Sequence, residues 1–280
     1  MPLKVADEDH QDKYIRKESF YMVLDSKNAS DKSNGSLHSD VTFNIECPLI
    51  APNDCLYITW SVSSFTCPVS FYLINSTNNM IAIQFPNIVF PQLFYIPVGN
   101  YNVTSFAAAL QSVLFGFTLT FNSCTNVYSL TYVDDFQIVA GSTLLRIMGF
   151  AKNTTYSSTN NTIVMPYSVN FSGLHNINIH CSSVRTKNLD SADKLSTSDL
   201  ICAVNVNASS NGQIYFEKRN DFEFDIKERV INYLDFDLLD DEGNYIDFNN
   251  QHWHMCIQVN YIREIQKDSN SSFMDIIHEN

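Results

Sequence analysis

The feature that most restricts this chain is hydrophobic alternation with a period of two. Val41, Phe43, Ile45 and Cys47 alternate with Thr42, Asn44 and Glu46. Leu56, Ile58, Trp60 and Val62 alternate with Tyr57, Thr59 and Ser61. Successive side chains of a strand point to opposite faces, so each pattern describes a strand with one buried and one wet face. The C-terminal half repeats it. Ile177, Ile179 and Cys181 form one face, and Val230, Leu234, Phe236 and Leu238 form another, opposite Asp235 and Asp237. Trp253, Met255, Ile257, Val259 and Tyr261 make the longest. Between the last two, Asp240-Asp241-Glu242-Gly243-Asn244 is a turn cluster whose glycine can take positive φ.

Helical periodicity is confined to two stretches. Phe106, Ala109, Leu110 and Val113 recur at three and four within Val103–Leu114, with Asn102 or Thr104 as cap and Gly116 close behind. A shorter helix is predicted over Thr143–Met148, capped by Ser142 and ended by Gly149. Both lie between residues 68 and 159. Strands are predicted before that stretch near 19–25, 41–47 and 56–64, and after it near 174–182, 200–206, 213–217, 230–238 and 253–261. Eight antiparallel strands in two sheets make a jelly roll. The predicted fold is therefore all-β: a single eight-stranded jelly roll built from 19–67 and 160–265, with an inserted α+β domain at 68–159 carrying the main helix. The insert is expected to hold hairpins joining 71–74 to 80–84 across Asn75–Asn79, and 117–121 to 127–132. Residues 1–18 and 266–280 read as arms, the second bringing Phe273, Met274, Ile276 and Ile277 to a neighbouring subunit.

Composition narrows the function. The 280 residues are 45% hydrophobic and 17% charged, which is globular, and long enough for one large domain or two modest ones. A net charge of −13 disfavours wholesale contact with nucleic acid. No apolar run reaches the length of a membrane span, and the charged opening MPLKVADEDHQDKYIRKE gives no expectation of a secretory signal. Cys47, Cys55, Cys67, Cys124, Cys181, Cys202 and Cys256 are odd in number and include no C-x-x-C pair. They read as mostly reduced core residues of a protein folded in a reducing compartment, and sequons such as Asn28, Asn75, Asn102, Asn153 and Asn207 as unglycosylated.

Chemistry-bearing motifs are sparse. With eight glycines the chain has no phosphate-binding loop, no dinucleotide fingerprint, no nucleophile elbow and no H-E-x-x-H. The best metal candidate is His252, His254 and Cys256, which would share one face of a strand, with His180 beside Cys181 as a fourth-ligand guess. Against it, Trp253, Met255 and Ile257 claim the inner face. Paired carboxylates occur at Asp134-Asp135, Asp240-Asp241 and Asp235 with Asp237; a glycosidase would need two of them facing one cleft, whereas turn aspartates usually bond their own backbone. No catalytic, cofactor-binding or metal-ligating residue is assigned. Most of the 20 Phe and 14 Tyr are expected in the core, with a minority left to stack on sugars or a partner.

One series of segments has a family likeness. Ile96-Pro97-Val98-Gly99-Asn100-Tyr101 opens the main helix, and Leu145-Arg146-Ile147-Met148-Gly149-Phe150 ends the short one. Asp240 through Phe248 with Trp253 closes the chain's last hairpin. Together with SFYMVLDS at Ser19–Ser26, the order resembles the penton-type minor capsid proteins of virophages, Polinton-like viruses and relatives in large DNA viruses, over residues 19–262. Those families carry an I-P-x-G-N-Y segment, a contiguous L-L-G-F-like segment, which this chain interrupts, and a D-x-x-G-x-x-(I/L)-D-F…W hairpin. The resemblance implies a non-enzymatic vertex protein in the virion, assembled in the host cytoplasm. Five copies would close each five-fold vertex against a double-jelly-roll major capsid protein. A host receptor or glycan is a further candidate partner. The alternative is a cement or spike protein whose insert binds a sugar or receptor; a β-sandwich glycosidase is the enzymatic rival.

Overall fold

The leading alternations become long antiparallel strands: β1 (Lys13–Asp25), β2 (Asp40–Ile50) and β3 (Cys55–Pro68). The chain then builds β4 (Met80–Gln84), β5 (Gln92–Tyr95), α1 (Val103–Val113), β6 (Thr118–Asn122), β7 (Val127–Thr131), β8 (Gln137–Ile138), α2 (Leu145–Met148), β9 (Tyr156–Ser157) and β10 (Thr162–Val164). It returns through β11 (Asn176–Cys181), β12 (Leu200–Asn205), β13 (Gln213–Glu217), β14 (Phe224–Ile226), β15 (Val230–Leu239) and β16 (His254–Gln266). This computed structural model describes residues 4–5, 13–183, 188–190, 196–218, 223–226 and 228–266. Two compact units result: Met1–Phe71 with His175–Asn280, and Tyr72–Leu174.

In the first unit most of the strands form two antiparallel sheets, and Asn188–Asp190 pairs with Ser196–Ser198 apart from them. One has the order β1-β16-β3-β13, with β14 also paired to β3; the other runs β12-β11-β15-β2. Trp253, fully buried just before β16, joins them. Its ring lies 6.0 Å from Phe65 of one sheet and 6.1 and 6.3 Å from Phe43 and Phe236 of the other. Its indole N–H donates to the His38 carbonyl at 2.7 Å, and its backbone exchanges hydrogen bonds of 3.0 Å with buried Ser26. The polar edge of the ring is thus satisfied inside an apolar core, as burial of an indole requires.

Bulges decide which side chains reach that core. The register of β16 on β3 shifts between Cys256 and Ile257, so the buried positions of β3 pass from Ile58, Trp60 and Val62 to Phe65 and Cys67. An extra residue in one strand reverses the parity of everything beyond it. In β15 a shift between Ile231 and Tyr233 buries Ile231 and leaves Val230 about half exposed, where strict alternation had placed Val230 inside. Leu56, expected inside, is likewise exposed, and Cys55 is buried instead.

Strand β1 starts at Lys13, within the segment expected to be an arm, and a two-residue strand at Lys4–Val5 from the same segment pairs with its first two residues. Lys13 through Asp25 pair residue for residue with Gln266 back to His254. Charges in this stretch find partners: Arg263 bonds Glu18 at 2.9 Å and Asp54 at 2.6 Å, and Lys17 bonds Glu223 at 2.5 Å. Cross-strand pairing therefore accommodates a segment that composition marked as solvated. The cluster Phe273, Met274, Ile276 and Ile277 lies outside the described residues.

The second unit holds two small sheets, β9-β8-β4-β5 and β10-β7-β6. Its core gathers Ile81, Ile83, Phe106, Leu110, Leu130 and Met148. Asn102 caps α1 through a reciprocal box with Ser105, each backbone N–H bonded to the other's side chain at 2.9 Å. Buried Phe106 and Leu110 turn inward, and the Tyr128 hydroxyl donates to the Val103 carbonyl at 2.5 Å, tying helix to sheet. The pairing of 71–74 with 80–84 does not form: Ile74 bridges Gly99, and β4 lies between β5 and β8. Ser142 does not cap α2; its hydroxyl accepts from the Ala82 N–H at 2.8 Å and donates to the Val139 carbonyl, fastening a turn to β4. The unit runs on to Leu174, past the expected boundary at 159, because Ile163 and Met165 are buried in its core and β10 pairs with β7.

Replacing Trp253 by Ala is expected to cost about 3–5 kcal/mol, read as a lower urea midpoint. Gly149→Ala is expected to cost more than about 2 kcal/mol, because Gly149 sits at φ +87° with the Tyr167 carbonyl oxygen 2.2 Å from where a Cβ would lie. Thermal unfolding checks the second; a Tm equal to wild type would contradict it.

Candidate functional site

The histidines flanking Trp253 do not converge. β16 begins at His254, so His252 lies on the preceding loop and off the strand face. Its ring packs edge-on to His38, centroids 4.6 Å apart, and burial followed by the neighbouring His38 lowers its pKa. His254 stands out at the surface, 58% exposed, with Nδ1 3.6 Å from the Asp25 carboxylate. Cys256 is half-buried, and burial pushes its thiol pKa up. Among the described residues no three His, Cys, Asp or Glu side chains are placed to hold a metal ion. The cysteines are all free, but their burial is uneven: Cys55, Cys67 and Cys181 are buried, Cys202 and Cys256 intermediate, and Cys47 and Cys124 exposed.

The paired carboxylates are engaged by the fold. Asp240 accepts the N–H groups of Glu242 and Asn244 at 2.8 Å, which shapes the turn where Gly243 takes φ +81°. Asp241 accepts the His175 N–H at 3.0 Å, and Asp135 accepts the Ser158 hydroxyl at 2.9 Å. One aspartate of β15, Asp237, lies in a row that spacing alone does not reveal, while Asp235 accepts the Thr42 hydroxyl at 2.6 Å. Asp40 pairs with Asp237, Asp237 pairs with His180, and His180 Nδ1 lies 2.7 Å from Asp199. Burial, and then the Asp40 and Asp199 charges, raise the Asp237 pKa against the Tyr245 hydroxyl, which lies 3.2 Å away. Asp40 is raised by burial and by Asp235 and Asp31. Asp199 is held low by its hydrogen bond to His180. Asp40, Asp237 and His180 lie opposite one another on β2, β15 and β11, and Asp199, just before β12, joins the row through its side-chain contact with His180.

A cavity of about 550 Å³ lies between β3, β12 and β13, lined by Val62, Cys202, Val204 and Phe216 among others. Among the described residues its charged groups are Glu217 and Lys218, and Lys218 donates to the Ser61 hydroxyl at 3.0 Å. One carboxylate beside an ammonium is not the facing pair that glycoside hydrolysis uses.

The second unit presents a different kind of surface. Val89 is 85% and Phe90 77% exposed, and Leu93, Tyr95 and Val98 are about half exposed. Alternation singled out none of them. The signal that finds them is charge: no Asp, Glu, Lys, Arg or His occurs between Asp54 and Asp134. From Tyr72 to Leu174 the charged side chains are Asp134, Asp135, Arg146 and Lys152, so the unit is formally neutral and the net −13 belongs wholly to the other.

Among solved structures the chain is similar to the selenomethionine-labelled mavirus penton protein, with 11% identity and a TM-score of 0.44, over 88% of this chain and 100% of that one. No protein-family model and no curated protein sequence matches it.

A carboxyl whose folded pKa is raised contributes stability below the usual aspartate range and loses it as pH rises through the folded value. Asp237→Asn is therefore expected to raise Tm at pH 7, with the gain fading near pH 3, where wild-type Asp237 is protonated. Asp199 is depressed, so Asp199→Asn should lower Tm at pH 7, and that loss should close as pH falls through the folded value. Thermal melts across pH read both signs.

Proposed function

We propose that this chain is a structural virion protein of penton type: a jelly roll with an inserted α+β domain, five copies of which close a five-fold vertex of an icosahedral shell. The observation that carries the reading is strand order. Counting β1, β2, β3, β11, β12, β13, β15 and β16 as strands one to eight, the sheets read 1-8-3-6 and 2-7-4-5. That is the order obtained when a long antiparallel hairpin is rolled into two Greek keys. The second unit interrupts the sequence between strands three and four, where the order of predicted strands and helices places an insert.

The family-like segments support the same reading by being structural. Ile96 is buried, Gly99 bridges Ile74, and Asn100 accepts the Leu73 N–H at 2.8 Å. Gly149 ends α2 in the left-handed region, and Asp240 with Gly243 turns the last hairpin into buried Ile246 and Phe248. These residues set geometry, and none offers a nucleophile or an acid–base pair. The role is non-catalytic, the partners are further copies of the chain and a double-jelly-roll major capsid protein, and the place is the virion, assembled in the host cytoplasm.

Co-expression with the cognate double-jelly-roll protein, followed by electron microscopy of the sedimented particles, tests this. Density for five copies at the five-fold axes is expected. Closed shells that leave this chain in the supernatant would refute the vertex role.

A further inference from the structure

We propose that the apolar tip spanning Ile88 to Val98 is a self-association surface, and that its occupant is the second unit of another copy of this chain. The tip is built to stay in place. In the connection between β4 and β5, the Ile88 N–H donates to the Phe85 carbonyl at 3.2 Å, and the Gln84 side chain amide donates to the carbonyls of Phe85 and Ile88. Val89 and Phe90 are held outward beyond this turn. On β5, Leu93 and Tyr95 share one exposed face, while Phe94 turns toward the core.

The size of the patch calls for a cover. The exposed fractions of Ile88, Val89, Phe90, Leu93, Tyr95 and Val98 amount to on the order of 700 Å². That is somewhat above the roughly 300–600 Å² of the largest apolar patch on a typical monomer and approaches the roughly 800 Å² each partner gives to a stable interface. Aromatic side chains, here Phe90 and Tyr95, are among the groups that carry most of the binding energy of an interface.

Charge selects the occupant. Two copies bring net charges of −13 toward each other, and like charges oppose contact through the first unit. The second unit is formally neutral, with no Asp, Glu, Lys, Arg or His from residue 55 to residue 133, so identical copies can meet there without that repulsion. A strongly basic partner would find no acidic groups on the tip to pair with. The edge also limits growth. β5 is the last strand of its sheet, only four residues long and bracketed by Pro91 and Pro97. Proline and brevity block open-ended strand addition, so side chains make the contact and the assembly stays finite.

Sedimentation velocity of the purified full chain tests the proposal. Wild type is expected to associate at concentrations up to about 50 µM, and more strongly at high salt, which screens the −13 repulsion and leaves an apolar contact intact. The double variant Val89→Asp/Phe90→Asp is expected to weaken association at least roughly tenfold, with an unchanged circular dichroism spectrum because both side chains are exposed. Leu93→Lys, on the strand and not the turn, gives a second and independent reading of the same loss. Val23→Asp, at a 77% exposed site of the first unit, should associate as wild type does. A wild type that stays monomeric in both salts, tip variants that associate normally, or a loss confined to Val23→Asp would each overturn the proposal. The inference does not rest on the virion reading: shells can capture this chain whether or not free copies associate, so the two experiments fail separately.

Discussion

Everything in the first unit depends on Trp253. It is the largest kind of apolar side chain, and it sits where the two sheets share a core, within ring contact of Phe43, Phe65 and Phe236. Burying its single polar atom unpaired would be costly, and the His38 carbonyl accepts from it at 2.7 Å. That bond fixes the loop before β2 against the start of β16, and the Ser26 exchange fixes the end of β1 to the same point. Three segments far apart in sequence are thereby set in register around one indole. The fully paired β1–β16 ladder extends from this point to Lys13 and Gln266.

The polar side of that ladder shows how a sheet face can be buried without becoming apolar. Asn260 is fully buried on β16, accepts the Ser19 hydroxyl at 2.7 Å and donates to Thr59 at 3.1 Å. Thr59 in turn donates its hydroxyl to Glu223, which also pairs with Lys17. Each donor has an acceptor, so burial costs little and the arrangement specifies register, since a slipped strand would leave these groups unpaired. The other sheet bears the row of Asp40, Asp237, His180 and Asp199, where burial and mutual repulsion raise two carboxyls and a histidine contact lowers a third. The two units thus divide labour chemically. One carries the charge and the long-range strand pairing; the other is nearly uncharged and exposes its apolar tip.

Local patterns were legible wherever the physics was local. Asn102 followed by Ser105 caps α1, because the capping groups are three residues apart and need nothing else. Thr118–Asn122 and Val127–Thr131 pair as adjacent strands across a short turn. Ser142 departs from the cap its position suggests because its hydroxyl bonds the backbone of β4, some sixty residues away, in place of the helix it precedes. Ile74 departs from its expected pairing for the same reason, its partner being Gly99 and not the neighbouring strand. The metal candidate failed on one residue: a strand that begins at His254 leaves His252 on a loop. The apolar tip was written in the sequence as a long absence of charge, a signal that period-two reading does not weigh.

By itself the sequence determined that this chain is made of half-buried strands, that Val103–Val113 is a capped helix, and that a closing turn forms at Asp240–Asn244. Side-chain direction along one strand and hydrogen bonds within a few residues suffice for all three. Only the tertiary structure decided which strands lie side by side, that Lys13–Glu18 is strand and not arm, and that Ile231 and Phe65 face inward. Pairing joins residues more than two hundred positions apart, and a single bulge reverses the parity of all that follows it. No local pattern records where a partner strand inserts its extra residue.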